Sequence, residues 1–211
     1  MSAWTWTFVK ATSIPKDIVN NICDNSIKNE TNIWYYKKWQ TNPQTALKEW
    51  FKMHDEERDY FIEELGVSPD KLTHESLENE LKKYIKDIKE YSDDLSLVKE
   101  GKLTLDECLR KHKIWEDKGL GHPLCYNIDD DVWVNLPYEI FRLREYSDMT
   151  VSNGLKTIDD LIKYLSEPNR QHNLIWWENN NMKEGMFPEF EARLKEYYGQ
   201  FGDGNFSVHF G

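Results

Sequence analysis

Six carboxylates surround one arginine between positions 55 and 64: Asp55, Glu56, Glu57, Asp59, Glu63 and Glu64, with Arg58 among them. Like charges at helical (i, i+4) spacing cost roughly a few tenths of a kcal/mol per pair. The plain reading is a solvated helix face. The sharper one is a face that receives a basic partner, or mimics the phosphates a nucleic-acid-binding partner expects. Asp55, Glu56, Glu57 and Asp59 are therefore partner-binding candidates, and Trp176 and Trp177 join them. Neighbours on a strand point to opposite faces, so one ring of this pair is less covered than the other. Tryptophan is also a frequent interface anchor. The Asn179-Asn180-Asn181 run after Glu178 would then be a recognition loop; a strand buried on both sides is the plainer alternative.

A second chemistry is acid–base catalysis. His122 lies in the loop Gly119-Leu120-Gly121-His122-Pro123, and Asp129-Asp130-Asp131 sits between two alternating apolar runs. His122, Asp129 and Asp131 form the candidate catalytic set of a dispersed, hydrolase-like site. The three aspartates could offer oxygens to a divalent cation, but adjacent strand residues diverge and no calcium-loop pattern is present, so an Asp-capped turn is favoured. The histidines (His54, His74, His112, His122, His172, His209) show no metal-binding spacing, and no metal or cofactor is expected. Ser207 and His209 share a strand face, an arrangement too generic to assign a nucleophile and base. The G-x-S-x-G, P-loop and dinucleotide fingerprints are absent.

The bulk composition narrows the partners. A formal net charge of −11 opposes direct nucleic-acid binding, which relies on Lys and Arg neutralising phosphates. It equally disfavours anionic membrane and leaves a basic protein as the possible partner. No stretch approaches the roughly 18 uninterrupted apolar residues of a membrane span. Cys23, Cys108 and Cys125 are too few and too scattered for a disulfide framework. With no secretory leader pattern at the start, a cytoplasmic location is expected.

These groups must be positioned by a sheet and a set of helices. Residues 3–9 alternate Trp4, Trp6 and Phe8 with Thr5, Thr7 and Val9. They form a strand whose aromatic face is read as core under the helices, in preference to a ligand-stacking platform. Ser13 and Pro15 open a helix running to about Ile27. Residues 33–39 lean towards helix. One helix is expected from Pro43 to Gly66, its apolar stripe continuing through Tyr60, Phe61 and Leu65. Thr73 starts another that ends near Tyr91, and Thr104 with Glu107 makes a capping box.

Residues 124–136 read as a β-hairpin, and Pro137 as the start of a helix carrying Ile140, Phe141 and Tyr146. A helix follows Thr157, residues 173–177 are a strand, Pro188 starts a last helix, and 206–210 closes the chain as a strand beside the first. The expected fold is α+β: several helices on a small, mostly antiparallel sheet that includes both chain termini. It is read as a single domain over 1–211, with 42–118 a largely helical stretch that could be an inserted subdomain. The function expected is a cytosolic protein-binding module of inhibitor or immunity type, acting through an acidic, aromatic-rich surface.

Overall fold

The computed structural model describes residues 5–112, 125–128, 131–136, 141–143, 154–176 and 180–210. The fold is α+β, as the alternation of patterns predicts. Its strands are β1 (Thr5–Lys10), β2 (Cys125–Ile128), β3 (Asp131–Asn135), β4 (Phe141–Leu143), β5 (Leu174–Trp176), β6 (Asn180–Asn181) and β7 (Phe206–Phe210). Its helices are α1 (Lys16–Asn32), α2 (Trp34–Thr41), α3 (Pro43–Glu56), α4 (Arg58–Glu63), α5 (His74–Lys99), α6 (Leu105–Lys111), α7 (Ile158–Leu165), α8 (Pro168–Asn173) and α9 (Phe187–Gly199). Among the described residues no helix is long and apolar enough to cross a membrane. The chain divides into two compact units, residues 1–18 with 105–211, and residues 19–104.

The first unit holds the strands. Its main sheet has the order β2-β3-β1-β7 with antiparallel pairing throughout, so the two chain ends lie side by side. Thr5 pairs with Phe210, Thr7 with Val208 and Val9 with Phe206. Directly paired residues share a sheet face, which puts these six on one side and Trp6, Phe8, Ser207 and His209 on the other. The first side is the core: Thr5, Thr7 and Val9 are buried, whereas Trp6 is 38% exposed.

This reverses the face expected for Trp6 and Phe8; Trp4 lies outside the described residues. The core side already contains the fully buried rings of Phe190, Tyr198 and Phe206. A close-packed interior matches large residues with small ones, so β1 contributes threonines there and its big rings turn away. The Thr7 hydroxyl is satisfied by the Tyr198 hydroxyl at 2.9 Å.

Two further expectations give way in this unit. Residues 141–143 form strand β4, where a helix was expected, because Phe141 and Leu143 are both buried and pair with Trp176 and Leu174. Residues 174–176 lie in a separate three-stranded sheet, β4-β5-β6, outside the sheet that joins the termini. Asn180 and Asn181 are the return strand of that sheet, paired with Trp176 and Ile175, and Asn179 lies outside the described residues.

The second unit is helical. Trp50 of α3 anchors it: the ring is buried and its Nε1–H donates to the Leu77 carbonyl of α5 at 3.0 Å. Leu72, Leu77, Leu81 and Ile85 close around it, with Tyr35, Trp39, Phe51 and Phe61 partly buried at the margin. The helix predicted to stop near Tyr91 continues to Lys99, since Leu95 and Val98 extend its buried stripe past the polar Ser92-Asp93-Asp94. Helix α1 likewise runs through the Asn29–Asn32 cluster to Asn32, with the Thr31 hydroxyl donating to the Ile27 carbonyl.

Candidate interaction site

The acidic run does not ride on one helix. Asn42 caps α3, accepting from the Thr45 amide, with Pro43 in the first turn. That helix ends at Glu56; Glu57 leaves it at φ −103°, ψ 12°, and α4 begins at Arg58. The break rotates the stripe that follows. Phe61 turns inward and stacks on His54 at 5.2 Å, whose Nδ1 bonds the Trp50 carbonyl at 2.9 Å. Tyr60 and Leu65, expected to continue the core stripe, are turned out, 54% and 55% exposed.

Arg58, the one cation inside the run, points its guanidinium at carbonyls, Nη1 donating to Leu72 at 2.9 Å and Nη2 to Pro69 at 3.3 Å. It fastens the turn before α5 and leaves the neighbouring carboxylates to solvent or to other partners. Thr73 caps α5 by accepting from the Ser76 amide and brings His74 over α3. There the His74 ring stacks on Phe51, centroids 4.3 Å apart and planes 6° from parallel. Its Nε2 lies 3.4 Å from Asp55 Oδ2. Lys48, Phe51, Lys52, Asp55, Glu56 and His74 together line an open cleft of about 450 Å³.

Of the sequence-predicted partner residues, Asp55 and Glu56 line this cleft, Glu56 reaching Lys52 at 3.5 Å. Glu57 is the hinge between α3 and α4, and Asp59 lies in the first turn of α4. Trp176 belongs to β5 in the other unit, and Trp177 lies outside the described residues. Of the catalytic candidates, Asp131 forms an ion pair with Lys10 at 2.9 Å, while His122 and Asp129 lie outside the described residues. Among the described residues no three His, Cys, Asp or Glu side chains converge as a metal site would require.

Ser207 and His209 do meet, Oγ to Nε2 at 2.8 Å. Burial, and then the nearby Lys156 ammonium, hold the imidazole below its ordinary pKa. The hydroxyl is nevertheless sealed: Ser207 is 1% exposed, and a methyl added to Gly154 would stand 2.0 Å from its Oγ. A nucleophile needs room for a substrate carbonyl at about 3 Å, and the Gly154 backbone fills that space. The pair is a structural contact.

The sequence reading missed His74, Phe51, Tyr60 and Leu65 as site residues. The signal for the last two was the run of adjacent carboxylates, which weakens helix at 55–59 and makes a break there plausible on repulsion alone. Nothing local to His74 tells that it stacks on a residue of α3. No family model, curated protein or solved structure matches the chain.

Proposed function

We propose that the chain is a protein-binding module of inhibitor or immunity type that takes a basic partner at the α3–α4 corner. One observation carries the reading: of the two most exposed large apolar side chains among the described residues, Tyr60 stands inside the acidic run and Leu65 directly follows it. Exposed apolar groups rimmed by charge mark interaction surfaces. Tyrosine anchors commonly carry much of the binding energy, with surrounding charges steering encounter and selecting sign. Asp55, Glu56, Glu57, Asp59, Glu63 and Glu64 make that steering field negative, which favours a basic protein over nucleic acid. The cytoplasm belongs to the same reading. Cys23 is a buried thiol, and burial raises it to a pKa of about 11, as suits a structural cysteine of a reducing compartment.

Capture from native cytosol on the immobilised full-length chain tests this. A basic protein should bind at low salt, be released by about 0.5 M salt, and be lost from a Tyr60→Ser/Leu65→Ser bait that remains folded. Undiminished capture by that bait would refute the assignment.

A further inference from the structure

Along the sequence of α3, two lysines of the cleft lining, Lys48 and Lys52, precede its two carboxylates, Asp55 and Glu56, and the stacked rings of Phe51 and His74 belong to the same lining. Positions 48, 51, 52 and 55 share one helix face. At 1.5 Å of rise per residue, the carboxylates follow the lysines by about 4.5 to 12 Å along the axis. The existing pairs across the cleft, Lys52 to Glu56 at 3.5 Å and His74 to Asp55 at 3.4 Å, are long, and their side chains are all more than half exposed. Such pairs contribute about 0 to 1 kcal/mol and exchange readily for better ones.

A matched ligand therefore carries a cation and an anion several ångströms apart, joined by a stem that can lie on rings. Arginine with a free carboxylate has this shape. Its planar fork matches carboxylates and lies flat on aromatic rings, its methylenes cover apolar surface, and its carboxylate reaches back to a lysine. We infer that the cleft seats the C-terminal arginine of the protein partner. The inference rests on the reading above that a basic protein docks at this corner. A terminal lysine supplies the charge without the fork, and an internal arginine leaves the lysines unmatched.

Titration of the full-length protein with Nα-acetyl-L-arginine, its amide and Nα-acetyl-L-lysine, followed by NMR at Phe51, Asp55 and His74, tests the slot. Acetyl-arginine should shift these signals with a Kd in roughly the millimolar range. The amide and the lysine should bind about threefold or more weakly. Asp55→Asn/Glu56→Gln should abolish the shift, and Lys48→Gln/Lys52→Gln should reduce acetyl-arginine to the level of its amide. Equal binding of acid and amide overturns the C-terminal assignment. No shift with any probe overturns the slot itself, while the partner reading is judged separately by capture on the Tyr60→Ser/Leu65→Ser bait.

Discussion

His209 shows how one residue ties local chemistry to fold stability. Its ring packs edge-on against Phe8 at 5.4 Å, bonds Ser207, and lies under Gly154, where φ is +68° and a Cβ would come within 2.6 Å of Nε2. Glycine is required there twice over, for the left-handed backbone and for the missing side chain. That Gly154 closes over a histidine 55 positions later is not legible from the local sequence. Burial and Lys156 lower the folded-state pKa of His209. The native state therefore binds this proton less tightly than the unfolded chain, whose imidazole titrates near about 6.5. The sign follows from linkage: the contribution is intact above about pH 6.5 and is lost as pH falls through the unfolded value towards the folded one. Between about pH 7.5 and 5, urea midpoints should fall more steeply for the wild type than for His209→Gln. Parallel curves would exclude this residue as the source of acid sensitivity.

At the scale of elements, the interior contact that orients β1 is the Thr7–Tyr198 hydroxyl pair, which joins the first strand to α9. Tyr198 is fully buried, and burial holds its phenol protonated far above the ordinary range. Removing one hydroxyl strands the other, at about 1–3 kcal/mol, whereas removing both leaves no orphan. Thr7→Val and Tyr198→Phe should each destabilise by about that much, and the double variant by clearly less than their sum. Strict additivity in denaturant unfolding would show that the hydroxyls do not act on each other. The same contact explains why the sheet face was misread. Alternation located the strand, but its two faces are distinguished only by what packs on them, and Tyr198 lies 191 positions away. Long amphipathic helices such as α5 were legible because their period repeats many times. β4 and β6 are three and two residues long, too short for any period to emerge, and their pairing partners are remote. The acidic run was legible as charge and its break was not read, so Tyr60 and Leu65 were assigned to the core.

At the scale of the whole chain, the sheet closes only when both ends have been made. β1 sits between β3 and β7, and β7 contributes Phe206, Val208 and Phe210 to the core. Burying a large apolar side chain stabilises by roughly 1.5–3 kcal/mol, so these three together rival the net stability of about 5–15 kcal/mol usual for a domain. The pairing itself was legible from two terminal segments with matching alternation, since a short terminal strand must find a neighbour to be ordered. A chain ending at Asn205 should therefore lose its sheet unit: amide exchange in β1 and β3 should rise to near-unprotected rates, and the exposed strand edge and apolar face should promote association. The helical unit gives the contrast. The core of α5 around Trp50, Leu77 and Leu81 is built within residues 19–104, so its amides should stay protected. Truncated protein with β1 still protected would show that β7 covers the sheet without holding it together. Loss of protection in α5 along with β1 would show that the two units fold as one.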